Sequence, residues 1–266
     1  MGTSVVARLL DAAGVPRCPP VPLSGGDMSS VVRCGDWVVK TASSAPQGLF
    51  TREAEGLAAL ARAGMPVPEV RWAGEEGLVM RFIPRGPPQP EALGRLIARM
   101  HSVQGPAYGA EDTVFLGRFA LPAGTSSSWR DVWWLHRIAP LVRACASSLG
   151  SARVRRIEAL VQTTPLPEEG PRLVHGDLWS GNVHHGAAGP VLIDPSVQWA
   201  ERALDLAMMS LFGGFGERCM RAYEAVLPIP ADVRASLPVH QLYYLLVHVH
   251  FFGAGYLGAI DRVLRT

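Results

Sequence analysis

Residues 84–90, PRGPPQP, place four prolines within seven residues. No regular element can run through them, because each proline lacks the amide that a helix or ladder needs and fixes its own φ. The chain is divided there, and its two sides differ in periodicity. On the N-terminal side, Val5–Ala12 has the pattern of a short amphipathic helix, and short β segments follow. Val31–Arg33 and Trp37–Lys40 flank a Gly35-Asp36 hairpin turn, Leu49–Ala63 is helical in spacing, and Val67–Trp72 and Leu78–Ile83 flank a Gly-Glu-Glu-Gly turn. On the C-terminal side, helical spacing covers 91–103, 130–147, 151–163, 202–226 with breaks, and 239–265, with Leu173–Pro195 a loop between short strands. These patterns predict an α+β, bilobal chain: a small β-rich N-lobe over 1–83, a linker over 84–90 and a larger α-helical C-lobe over 91–266. A cleft between two such lobes is a common ligand site.

Composition narrows the partners. With 48% hydrophobic and 18% charged residues the chain is globular, and a formal charge of +2 gives no field that would recruit nucleic acid. The opening MGTSVVARLLDAAG lacks the basic start and long apolar run of a secretory signal, and Val6 breaks the myristoylation pattern. Leu242–Ile260 is the most apolar stretch, but His248, His250 and several glycines interrupt it, so it reads as a buried helix pair rather than a membrane span. Cys18, Cys34, Cys145 and Cys219 show neither CxxC nor zinc spacing. A cytoplasmic protein with no membrane or nucleic-acid partner is expected.

Only one of the 25 basic Lys and Arg residues is a lysine, Lys40. Arginine-biased codon usage explains most of the skew but not the exception. A compact ammonium is needed where a point charge enters a tight site that a planar guanidinium does not fit.

The segment LVHGDLWSGNV, Leu173–Val183, carries the strongest chemical signal. Asp177 and Asn182 stand five residues apart, and VLIDP ends in Asp194 twelve residues later. This is the H-x-D-x-x-x-x-N spacing of a kinase catalytic loop, followed by a strand ending in a metal-binding acid. Phosphoryl transfer needs a carboxylate to orient the acceptor hydroxyl and take its proton, the role that suits Asp177. It also needs hard oxygen ligands for Mg²⁺, which Asn182 and Asp194 supply. An HGD tripeptide alone is often an ordinary turn; the joint pattern points to ATP chemistry.

Lys40 then falls where a kinase small lobe holds its phosphate-gripping lysine, with Glu53 on the next helix as partner and Glu55 as the rival. Gly25 and Gly26 lie where a loop would cover ATP phosphates, although a plain hairpin reads nearly as well. Adenine would rest on Met80 and bond to backbone groups of Arg81, Phe82 and Ile83. Trp129, Trp133 and Trp134 share one helix, where core packing is the ordinary expectation; Trp129 is kept as a substrate-groove candidate with His175, Trp179, Ser180 and Tyr256. His240, His248 and His250 suit core or cavity-lining roles better than metal ligation.

Over nearly its whole length the chain resembles the fructosamine kinases, or ketosamine-3-kinases, of the aminoglycoside-phosphotransferase-like group with its protein-kinase-like fold. LVHGDLWSGNV alone indicates the wider group; Trp179-Ser180, GPVLIDPSV, LDLAMMSLFGGF and HQLYYLLVHVHFFGAGYLG narrow it. The resemblance implies ATP-dependent phosphorylation of a ketosamine sugar 3-hydroxyl, on free adducts or on glycated protein lysines. By the same resemblance Asp177 is the base, Asn182 and Asp194 the magnesium ligands, Lys40 and Glu53 the phosphate-positioning pair, and Arg81–Ile83 the nucleotide hinge. Two departures stand out. Glu201-Arg202-Ala203 replaces the family's His-Arg-Glu, and the glycine loop lacks the cysteine of some relatives, so no redox switch is expected there. Another kinase of the group, acting on an aminoglycoside or choline, and a catalytically dead binding module remain as alternatives.

Overall fold

The computed structural model describes residues 4–23 and 29–265. Gly25 and Gly26 lie outside the described residues. Helix α1 (Val5–Ala12) starts at Ser4, whose hydroxyl accepts from the Ala7 amide at 3.3 Å. A five-stranded antiparallel sheet follows, built from β1 (Val21–Pro22), β2 (Ser30–Cys34), β3 (Trp37–Thr41), β4 (Val70–Gly74) and β5 (Gly77–Arg81) in the order β1-β2-β3-β5-β4. Central strand β3 shows the two-residue alternation plainly. Val39 packs with Leu9 and Leu10 of α1, while Val38 faces the other way, onto Phe50 and Leu57 of α2 (Leu49–Arg62).

The proline segment is extended and anchored. The Gly86 amide donates to the His185 carbonyl at 2.7 Å, and Pro90 then opens α3 (Pro90–Ser102), where a missing amide costs nothing. Between α3 and the next helices come four three-residue strands that periodicity did not reveal: β6 (Tyr108–Ala110), β7 (Val114–Leu116), β8 (Phe119–Leu121) and β9 (Gly124–Ser126). Three residues are too few to display alternation. α4 (Trp129–Val132) continues through a π-helical turn, Trp133–Ile138, into α5 (Ala139–Ala144). α6 (Ala146–Thr163) is kinked at Gly150.

β10 (Arg172–Val174) pairs with β13 (Gln198–Ala200), which joins β6 and β9 in a second sheet, and β11 (Val183–Gly186) and β12 (Gly189–Leu192) form a hairpin. Last come α7 (Ala203–Phe212), α8 (Glu217–Glu224), α9 (Ala231–Phe252) and α10 (Leu257–Val263). By length and composition, Ala231–Val263 is one stretch apolar enough to cross a membrane. Here the helix breaks at Gly253 (φ 79°), and Leu242–Val247 lie in the main core with Trp133, Ile157 and Leu204. A second core joins α3 to α8 beside the Leu173–Val183 segment, through Leu96, Leu178, Leu206 and Tyr223.

Candidate active site

The alternation that turns Val39 toward α1 turns Lys40 toward α2. On α2, Phe50, Glu53, Leu57 and Leu60 share one buried face, and Glu53 meets Lys40 there. Lys40 Nζ donates to both Glu53 oxygens, at 2.9 and 2.8 Å, and lies 3.0 Å from Asp194 Oδ2. Glu55 is exposed and pairs with Arg52 at 2.6 Å instead. Burial alone would lower the Lys40 pKa, but the Glu53 and Asp194 charges outweigh it and hold the ammonium above its ordinary value. Two carboxylates share this one cation, which leaves the corner with negative charge in excess.

Asp194 follows β12 with φ at 54°, unusual for a residue with a side chain, and Pro195 comes next. Asn182 ties the catalytic loop together. Its Nδ2 donates to the Asp177 carbonyl at 2.8 Å and to Asp177 Oδ2 at 3.0 Å, and lies 3.5 Å from the Asp194 carbonyl; its Oδ1 can only accept. Burial first, and then the Asp194 charge, push the Asp177 carboxyl up to about 7.

Asp205, in the first turn of α7, supports this loop from below. It is fully buried and accepts from the His175 amide at 2.7 Å, the Gly176 amide at 2.8 Å and His101 Nε2 at 3.1 Å. Tyr244 on α9 donates its hydroxyl to the Gly176 carbonyl at 3.1 Å. Gly176 sits at φ 81°, and a Cβ there would come within 2.0 Å of the Ser196 carbonyl, so only glycine allows this approach. Neither support could be given a role from sequence. The available signal was one acid inside the otherwise apolar run ALDLAMMSLF.

A cavity of about 1040 Å³ adjoins this centre, lined by Lys40, Glu53, Asp177, Asn182 and Asp194 on one side and by Trp179, Phe212, His248, Phe252 and Tyr256 on another. Trp179 and Tyr256, two of the acceptor candidates, are thus on the cavity wall. His175 is not: it is fully buried, with Nε2 on the Ile193 carbonyl at 3.0 Å and Nδ1 accepting from the Asp177 amide at 3.3 Å, and it holds the loop rather than facing the cavity. Trp129 is likewise a core residue, donating Nε1 to His240 Nε2 at 3.0 Å. Burial lowers the His240 pKa to about 4, which keeps its ring neutral and able to accept. Ser180 is exposed and sits against Gly214 of the LFGGF run, not on the cavity wall.

The expected hinge narrows in the same way. Met80 is packed among Val38, Phe50 and Leu78, and Arg81 pairs with Asp36 at 3.2 Å. The amides of Arg81 and Phe82 already donate to the carbonyls of Glu69 and Asp36, each at 2.8 Å. Two of the three amides offered to adenine are thus taken by the chain. At the altered Glu201-Arg202-Ala203 triplet, Arg202 is held by both oxygens of Glu169, at 2.6 and 2.8 Å, and by the Pro228 carbonyl at 2.7 Å. Ala203 lies fully buried at the start of α7.

Residues 21–266 match the model of the fructosamine kinase family. The chain belongs to that family. A probable ketoamine kinase of Thermus thermophilus is 48% identical over 248 residues, covering 93% of this chain and 94% of the relative. Among solved structures, a fructosamine-3-kinase candidate from Thermobifida fusca superposes with a TM-score of 0.86 at 33% identity, covering 100% of both chains. An ADP-bound aminoglycoside phosphotransferase shares the fold at 14% identity, with a TM-score of 0.65 over 100% of this chain and 97% of the other. For this family member, the β-sheet region and the helical region form the expected α+β, kinase-like fold, and its chemistry is that of an ATP-using phosphotransferase.

Proposed function

We propose that this fructosamine kinase family member transfers the γ-phosphoryl group of ATP to the 3-hydroxyl of a ketosamine sugar. The observation that carries the reading is the single cluster in which Lys40, Glu53 and Asp194 meet the Asp177–Asn182 loop. In this reading Asp177 orients the acceptor hydroxyl and takes its proton. A carboxylate that titrates near neutrality is suited to taking a proton as the bond to phosphorus forms. Lys40, fixed by Glu53, grips phosphate oxygens, and Ile83 offers the remaining hinge amide to adenine.

Asn182 Oδ1 and the Asp194 carboxylate are hard oxygen donors on residues whose side chain and backbone approach to 3.5 Å, a set that fits Mg²⁺, which keeps several waters and takes few protein ligands. Bound there, magnesium would neutralise charge on the transferred phosphoryl group. The acceptor side also suits a protonated secondary amine, since Glu111 and Asp112 line the cavity and the aromatic wall of Trp179, Phe212, Phe252 and Tyr256 can face a cation. Free adducts and glycated protein lysines both carry that amine, and the proposed role is deglycation in the cytoplasm.

ATP consumption across a panel of ribulosamine, fructosamine, aminoglycoside and choline acceptors tests this. Turnover on ketosamines is expected; turnover confined to the other amino alcohols would reject the ketosamine assignment while leaving the phosphotransfer centre in place.

A further inference from the structure

Trp179-Ser180-Gly181 in the catalytic loop and Phe212-Gly213-Gly214 at the end of α7 are distant in sequence and touch in the fold. A Cβ added at Gly214 would come within 2.4 Å of Ser180 Cβ, so the loop packs directly on the backbone of that turn. Gly214 also has φ 89°, in the left-handed region, so glycine is needed there for two reasons. The Phe212 ring just before the turn lies 4.7 Å from the ring of His248, which is itself 4.8 Å from Tyr256, measured between centroids. Docking Ser180 on Gly214 thus seats the loop that carries Asp177 against the aromatic wall of the cavity.

The direction of the Trp179 side chain has a separate cause. The Trp179 amide donates to the Asp177 carbonyl at 3.1 Å, and the Trp179 carbonyl accepts from the Asn182 amide at 3.0 Å, so its backbone is fixed relative to the acid. Trp179 is extended, and the 3₁₀ turn Ser180–Asn182 then brings Gly181 back under the indole. A Cβ at Gly181 would lie 2.1 Å from Cη2, 2.4 Å from Cζ2 and 2.5 Å from Cζ3 of Trp179. The six-membered ring therefore fills the space that a side chain at 181 would need. The φ of Gly181 is not positive, so its backbone accepts alanine. Trp179 is 40% exposed, so an added methyl would push the ring aside rather than break the fold.

We infer that Gly181 is the positioning residue for Trp179: its missing side chain lets the indole fold over the catalytic loop and stand on the cavity wall as the specificity-determining platform for the acceptor's protonated amine. The inference rests on the reading above, in which this cavity takes a sugar-bearing amine. An indole face attracts a cation more strongly than a phenyl or phenol face, and Trp179 is the lining indole whose backbone is bonded to that of Asp177.

A double-mutant cycle on Gly181→Ala and Trp179→Ala tests this, reading the acceptor KM and the ATP KM with the amine of the panel that the wild-type enzyme turns over best. Gly181→Ala alone is expected to raise the acceptor KM roughly fivefold to tenfold, with the ATP KM unchanged. With Trp179 already alanine, the same change should add less than about twofold, because no ring remains to displace. Equal losses in both backgrounds overturn the inference, since Gly181 would then act through the backbone of Asn182. An acceptor KM that either single variant leaves at the wild-type value overturns it too. Should Gly181→Ala alone not fold, the double variant is expected to fold, with an acceptor KM within about twofold of Trp179→Ala; a double variant that also fails to fold places the clash in the backbone and overturns the inference. The ketosamine reading fails separately: turnover of another amino alcohol and of no ketosamine rejects that assignment, and the cycle still decides this inference on the acceptor that is used.

Discussion

The two walls of the cavity differ in chemistry. On the nucleotide side, Lys40 already has two carboxylates and Asn182 already binds Asp177, so the charged groups are paired before any ligand arrives. On the acceptor side, Trp179, Phe212, Phe252 and Tyr256 present aromatic rings, with Glu111 and Asp112 also lining the cavity. The contrast separates a charged corner, in which Lys40 must exchange its Asp194 contact for phosphate oxygens, from an aromatic and acidic wall on the acceptor side.

If the two walls act separately, variants should divide by which KM they move. Asp177→Asn, at the boundary, should have the largest effect, a loss of roughly 10²–10⁴-fold in kcat with nucleotide affinity nearly unchanged, as measured by turnover and by nucleotide titration. Lys40→Met, within the paired wall, should cost roughly 10²–10³-fold in kcat/KM for ATP, while the acceptor KM stays near wild type. If both KM values rose together, the separation would be lost. Asp205→Asn tests the support common to both walls. Weakened charge-assisted bonds to the His175 and Gly176 amides should cost about 1.5–3 kcal/mol of stability, read by denaturant titration, with kcat falling alongside.

The smallest effect lies outside the cavity. Burial pushes the Glu201 carboxyl up to about 7, while its hydrogen bond from Tyr108 opposes that shift. The folded state thus holds this proton more tightly than the unfolded chain, whose glutamate titrates near 4.3. Stability should therefore decline as pH rises from about 4.5 through about 7. Glu201→Gln removes that decline, so its melting temperature relative to wild type should be roughly 3 °C higher at pH 8 than at pH 5. An equal difference at both pH values would refute the assignment of this decline to Glu201.

The same contrast governs how much could be read from the sequence. Lys40 and Glu53 were legible because each obeys a local period: two along β3, and the helical repeat of Phe50, Glu53, Leu57 and Leu60 along α2. The spacing of Asp177, Asn182 and Asp194 is likewise local, one loop and one hairpin long. Arg137, Gln198 and Tyr243 meet only through tertiary packing, and no local pattern marks an arginine whose partner is 61 residues away. The role of Asp205 could not be read for the same reason, since its partners lie 29 and 30 residues earlier. Trp129 and His175 were misplaced because sequence gives residue type and not direction: each is polar or aromatic near the site, yet each points into packing. At the expected hinge, sequence could not show that Glu69 and Asp36 already take two of the amides.

The central claim is that the Asp177 centre phosphorylates the 3-hydroxyl of a ketosamine. NMR of the product formed from ATP, Mg²⁺ and a ketosamine tests it most directly, through phosphorus–proton coupling that identifies the esterified carbon. Coupling from phosphorus to the proton on C3, absent with Asp177→Asn, is the predicted result. A phosphate on another carbon, or the same product from Asp177→Asn at the wild-type rate, would contradict it.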